Sequence, residues 1–186
     1  MNEDIQGNSA TDNTDVKKNL MYSSSDDFYF YTYAIFLILD WLSCYSPRNF
    51  KDYRKLVFLV DFATDENLLT ILEASKSRSN INRLDKEYLF RSYSNGLTKR
   101  SEVLKLLFRL EASGYIELEK GNLESGVNVS LAKDKLPNSF FDQNLFVSEK
   151  HNLERLSKFV QRVSVIRVET LIEKLYQDQG ISTWAL

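Results

Sequence analysis

Hydrophobic and polar positions divide the chain into four stretches. Residues 1–27 are rich in Asn, Asp, Ser and Thr and carry no apolar period, the pattern of a disordered acidic tail. From Phe28 to about Ser43 nearly every position is apolar or aromatic. The helix this predicts is hydrophobic on all sides and must be buried on all sides. Asp26 and Asp27 suit its N-terminus, where the helix dipole favours negative charge. Ser46-Pro47 then reads as an N-cap with proline in the first turn of a second helix, running to about Ala63 on a stripe of Phe50, Tyr53, Leu56, Val57 and Val60. Thr64-Asp65-Glu66 caps a short third helix that carries Leu68, Leu69, Ile71 and Leu72. The polar, basic residues 75–80 follow as a loop.

The next stretch is the most informative. Asp85 to Tyr93 predicts a short helix, and Ser94-Asn95-Gly96-Leu97 a turn in which Gly96 can take positive φ. Thr98 caps a helix from Lys99 to about Ala112, ended by Gly114 where a left-handed residue is wanted. Residues 115–119 and 127–131 each alternate with period two, joined by a loop with Gly121 and Gly126. Helix, turn, helix and hairpin in that order predict a winged helix-turn-helix over residues 64–136. The expected fold is mainly α with a small β-hairpin wing, extended by an N-terminal helical layer over 28–63. Residues 137–186 add an apolar linker and a long C-terminal helix, as one piece or two end to end. Its stripe is Leu153, Leu156, Val160, Val163, Ile166, Leu171, Ile172 and Leu175. At ~1.5 Å per residue it would reach ~45 Å, more than a small domain needs for its own core.

Composition narrows the class. With 43% apolar and 13% aromatic residues the chain can bury a sizeable core, and two prolines and six glycines argue against an all-β fold. A single cysteine, Cys44, excludes an internal disulfide framework and fits a reducing compartment. The longest apolar run, Phe28 to Leu39, is too short to span a bilayer and too far from the start for a signal peptide. A cytoplasmic protein without membrane contact is expected. The net charge is −2, and the tail accounts for more than all of it, with six acids against Lys17 and Lys18. The remainder is close to neutral and lacks the strongly basic footprint of a dedicated nucleic-acid binder.

Groups suited to catalysis are sparse. His151 is the one histidine and sits beside Lys150 at the start of a predicted helix, where a solvated surface residue is expected. Cys44 reads as a small buried hydrophobe. One His and one Cys make a zinc site improbable, and no glycine-rich phosphate loop occurs. Asp26–Asp27 and Asp65–Glu66 are accounted for as helix starts. The expectation is a protein with no catalytic residues, no metal and no cofactor.

Binding surfaces are better represented. On the helix from Lys99, the cations Lys99, Arg100, Lys105 and Arg109 lie away from the core stripe Val103, Leu106, Leu107 and Leu110, placed to touch DNA phosphates. Against this, residues 85–131 hold seven acids as well as seven cations, and Glu117 and Glu119 make one face of the wing acidic. Leu104 and Phe108, four apart, form a second apolar stripe on the same helix, which suits protein better than a DNA groove. Together with Leu156, Val163, Leu171 and Leu175 of the C-terminal helix they are the candidate partner interface.

Leu42-Ser43-Cys44-Tyr45-Ser46-Pro47, followed by Asp52-Tyr53-Arg54-Lys55-Leu56, carries a resemblance, as does Ser94-Asn95-Gly96-Leu97 leading into Leu107-Phe108-Arg109-Leu110-Glu111 and Gly114-Tyr115-Ile116. Over roughly residues 30–135 the chain resembles the small middle component of bacterial ABC-three-component systems, which include Lamassu-type anti-phage defence. Its motifs are mostly core, cap and turn signals. The resemblance implies a non-catalytic winged-helix accessory subunit bound to an SMC-like ABC ATPase, in a complex that senses foreign DNA and releases an effector such as a nuclease. The expected partners are therefore that ATPase and effector, with non-specific DNA and a second copy of the chain as further ones. A stand-alone dimeric winged-helix transcription regulator is the alternative.

Overall fold

A computed structural model describes residues 27–77, 81–121, 126–132, 135–137, 140–141 and 144–184. The expected tail, apart from Asp27, and residues 78–80 of the expected basic loop lie outside them, while residues 75–77 are the end of a helix and not loop. Helix α1 (Asp27–Trp41) buries every position from Ala34 to Leu39, but the expected burial on all sides does not extend to its first turn, where Phe28 and Tyr29 are exposed. Helix α2 (Leu56–Thr64) follows a 3-10 turn at Tyr53–Lys55 and buries all but Asp61 and Thr64. It is the hub of the fold, packed against α1 and three later helices, α3 (Glu66–Ser77), α4 (Arg83–Ala112) and α5 (Val147–Ser157).

Local capping chemistry sets several boundaries. The Asp65 carboxylate accepts the Asn67 N–H at 3.0 Å and starts α3. Asn82 accepts the Asp85 N–H at 2.8 Å and starts α4. Gly114, at φ 75°, turns the chain out of α4 into the hairpin. Strands β1 (Ile116–Lys120) and β2 (Val127–Leu131) pair antiparallel, with Ile116 opposite Leu131 and Lys120 opposite Val127.

Three expectations are corrected. Ser46-Pro47 caps no helix: its peptide bond is cis and lies in a turn closed by Arg48 N–H donating to Tyr45 O, and on either side of that turn Tyr45 and Phe50 bridge to the free edge of β2. Phe50 and Val129 exchange backbone hydrogen bonds at 2.8 and 2.9 Å, and Ser46 N–H donates to Leu131 O at 3.1 Å. The second helix therefore starts late, because these residues satisfy the sheet edge instead.

The turn at Ser94–Leu97 is absent, and α4 is helical from Arg83 to Ala112. Gly96 serves packing, not positive φ. A Cβ there would stand 2.6 Å from two ring carbons of Phe58, whose ring stacks on Tyr93 at 6.0 Å with 11° between planes. A glycine inside a helix costs about 1 kcal/mol relative to alanine. Here that cost is offset by letting α2 approach α4 closely enough to bury Phe58 and Tyr93 completely.

The long C-terminal helix is also absent. Helix α5 ends at Ser157 and a separate α6 spans Val168–Leu175, with a reversal between them that passes through Arg162 at φ 54°. The apolar spacing stays helical from Leu153 to Ile166, so it gives no sign of the reversal at 158–167. Val160 and Val163 sit in the connecting loop and are buried there. One continuous apolar cluster takes in residues from Tyr31 to Ile181, so the N-terminal helix, the hairpin and the C-terminal helices share a core. The protein is mainly helical with a small two-stranded antiparallel sheet. Among the described residues, no helix is long and apolar enough to cross a membrane.

Candidate functional site

Because α4 is unbroken, its surface residues fall on two long edges. On the edge beside α1, Lys99, Lys105 and Arg109 line a shallow groove with Phe28, Tyr31 and Glu102. The Lys99 ammonium lies 4.8 Å from the Tyr31 ring centroid, and the Arg109 guanidinium 5.7 Å from that of Phe28. Such contacts hold the cations over aromatic faces. Lys105 and Arg109 are exposed and Lys99 is half-buried. These three of the four predicted DNA-contacting residues come together. Arg100 does not join them: one residue on, it points a quarter-turn away and is half-buried, and its Nε is a buried donor with no acceptor.

Arg100 lies instead along the second edge, which is apolar. Phe108 is 51% exposed, Leu104 and Leu97 are half-buried, and Phe90 is 42% exposed. Trp184, 57% exposed, packs edge-on against Phe90 at 6.0 Å and extends this strip at one end. Leu104 and Phe108 are thus on the surface as expected. The other four candidate interface residues are not: Leu156, Leu171 and Leu175 are fully buried, and Val163 is 2% exposed. Their stripe faces the core because the chain folds back where a single long helix was expected to project. The wing acids are engaged too, Glu117 accepting the Ser46 hydroxyl at 2.6 Å and Glu119 the Asn49 side-chain amide.

Two interior polar groups went unread in the sequence. Asp61 interrupts the apolar run of α2 and accepts the Ser92 hydroxyl at 2.9 Å, and Ser92 in turn lies 3.1 Å from the fully buried Tyr176 hydroxyl. Burial pushes the Asp61 carboxyl up to about 6, with Asp65 adding to the shift while the Ser92 hydrogen bond and the Lys99 charge oppose it. Lys55, wholly buried, donates to Val163 O at 2.6 Å and sits 4.4 Å over the Phe50 ring. Burial lowers its ammonium to about 8, against the pull of Asp52. Beside it, Lys51 N–H donates to Ser164 O at 2.8 Å, so residues 51–55 pin the reversal between α5 and α6. A charged residue inside a hydrophobic run was the available signal for Asp61, whereas Lys55, directly after Arg54 in a charged stretch, carried no such signal.

Cys44 is buried and its thiol is pushed up by burial, while His151 is exposed, as expected for both. No group of three or more His, Cys, Asp or Glu side chains among the described residues is placed to hold a metal ion. The chain matches no protein-family model, no curated protein and no solved structure.

Proposed function

We propose that this chain is a non-catalytic accessory subunit of an SMC-like ABC ATPase complex in bacterial anti-phage or anti-plasmid defence, built on a modified winged helix. The observation that carries the reading is α4, which presents an exposed apolar edge and, beside it, a cationic edge on one rigid helix. A surface of that kind suits macromolecular partners: the apolar edge a protein, and Lys99, Lys105 and Arg109 the phosphates of DNA passing close by. The winged-helix reading moves its turn to the connection between α3 and α4. Helix, connection, helix and hairpin then keep their order, and Tyr45 and Phe50 add two isolated bridges to the edge of the wing. The ATPase as partner, and defence as the setting, rest on the family resemblance.

The test is co-purification of the tagged chain with the products of its neighbouring genes, followed by charge reversal of Lys105 and Arg109. The expected result is a stable complex with a long coiled-coil ATPase that still assembles in the double variant but binds DNA more weakly. Each lost phosphate contact should flatten the salt dependence by about one unit of log–log slope. A chain that ignores those products and shifts a palindromic promoter fragment would be a stand-alone regulator, and the reading would fall.

A further inference from the structure

The apolar edge of α4 has a regularity that its separate residues conceal. Phe90, Ser94, Leu97, Ser101, Leu104 and Phe108 follow one another at spacings of four, three, four, three and four, the seam of a helix pair. Ser94 is half-buried and Ser101 exposed, so the two serines are indentations between the larger residues. The spacing is also palindromic, which makes the seam self-complementary. If a second α4 is laid on it antiparallel, about a two-fold axis at the level of Lys99, Phe90 meets Phe108, Leu104 meets Ser94 and Leu97 meets Ser101. Every leucine then faces a serine, and the aromatic rings meet at the two ends. Large-to-small matching around a two-fold axis is what a closed, isologous interface demands.

We propose that the apolar edge of α4 binds a second copy of this chain, antiparallel, through that seam. The proposal rests on reading this edge as a protein interface and names its occupant. Charge placement agrees with a two-fold pair at the ends, where Lys86 comes level with Glu111 of the other copy. On the α1-side flank Arg91 comes level with Lys105 but Glu87 comes level with Arg109, and on the opposite flank Arg100 lies near its own counterpart. Attractive and repulsive pairs nearly balance, so pairing should change little as ionic strength rises from about 0.05 to about 0.5 M. Phosphate contacts by Lys105 and Arg109, in contrast, must weaken over that range. The seam is about 28 Å long, and a helix pair of that length buries about 1,000 Å² in total, near the lower limit for a specific interface. A reversible dimer with a micromolar dissociation constant is therefore expected, not an obligate one.

The experiment is sedimentation equilibrium of the full chain over a concentration series, with Trp184 emission as a second readout because Phe108 of the other copy would land beside Phe90. Phe108→Asp, a change at a half-exposed site, should raise the dissociation constant at least about 100-fold, since each dimer loses two buried rings. Orientation is read by cysteine pairing. The double variant Ser94→Cys, Leu104→Cys should oxidise to a covalent dimer, while Ser94→Cys alone should not, because its two copies would be about 15 Å apart. Cross-linking by Ser94→Cys alone would mean parallel packing and overturn the proposal. So would a chain that stays monomeric throughout. If that monomer binds the ATPase and Phe108→Asp abolishes the binding, the edge is still a protein interface and only its occupant was misassigned. If Phe108→Asp changes neither, both readings fall.

Discussion

Asp61 offers the sharpest test of how the interior is built. Its carboxyl is raised from 3.8 to about 6, chiefly by burial among the apolar residues of α2. Between those two values the folded protein holds a proton that the unfolded chain has released. The stability that Asp61 contributes must therefore be greatest below about pH 4, fall as pH rises through about 6, and then level off. A difference of about two units corresponds to about 3 kcal/mol of lost stability at neutral pH, and partial solvent access reduces the working figure to about 1–3 kcal/mol. Asp61→Asn keeps a carbonyl oxygen to accept the Ser92 hydroxyl at 2.9 Å and removes only the charge. The variant should be more stable than the parent by that amount at about pH 8, with the advantage shrinking below about pH 6 and nearly gone at about pH 4. Urea unfolding of both proteins across this range, followed by circular dichroism, measures the difference directly. Taking the difference also cancels carboxylates such as Glu73, held low by Arg155, whose own pH dependence runs the other way. A gap that does not change with pH, or an Asn variant less stable at pH about 8, would refute the argument from burial.

Other perturbations address the remaining features. Gly96→Ala should destabilise the protein by about 1–3 kcal/mol in chemical unfolding despite alanine's better helix propensity, because the new Cβ must displace the Phe58 ring. A turn glycine at positive φ would show a similar loss, but only packing predicts rescue by a second change, Phe58→Leu. The Lys55 ammonium, lowered to about 8, binds fewer protons folded than unfolded, so this residue adds stability as pH rises from about 8 toward 10.5. Compared with Lys55→Met, the parent should gain ground steadily between about pH 7 and about pH 9.5, and a flat comparison by thermal unfolding would sink the assignment. Arg155 joins Glu66 at 3.0 Å and Glu73 at 2.8 Å, clamping α5 to α3. Arg155→Ala should cost about 1–2 kcal/mol in urea unfolding, a modest loss because both acids remain solvated.

What the sequence made legible was governed by local chemistry. The buried α1, the Asp65 cap, the Gly114 terminator and both hairpin strands are each encoded by a few adjacent residues, and each lies where its pattern places it. What misled was a local signal overruled by a distant partner. Ser94-Asn95-Gly96 has the composition of a turn, yet Phe58 needs a residue without a Cβ inside a helix. Ser46-Pro47 has the composition of a helix start, yet β2 needs a partner for its free edge. Leu156, Val163, Leu171 and Leu175 form an apolar stripe, and periodicity alone cannot say whether such a stripe meets the chain's own core or another molecule. Six of the ten candidate residues shared that ambiguity. Exposure separates Leu104 and Phe108 from the four buried residues, and helix phase separates Arg100 from the other three cations.

The continuity of α4 matters beyond the fold itself. A turn at Ser94–Leu97 would have put Phe90 and Phe108 on different helices, and no seam could run between them. With the helix unbroken, one rigid rod carries the apolar seam and, on its α1 side, the cationic groove. The two surfaces share a border: Lys105 flanks the seam and lines the groove. A phosphate held by Lys105 would neutralise one of the cations that oppose Arg91 across a paired seam. Binding of a polyanion should therefore favour pairing, and pairing should by the same measure favour the polyanion, since coupling between two binding events is reciprocal. At low salt, where the facing cations repel most strongly, the effect should be greatest. A short DNA duplex added to the dilute chain should then raise the fraction of dimer, and the Lys105→Glu variant should pair without needing it.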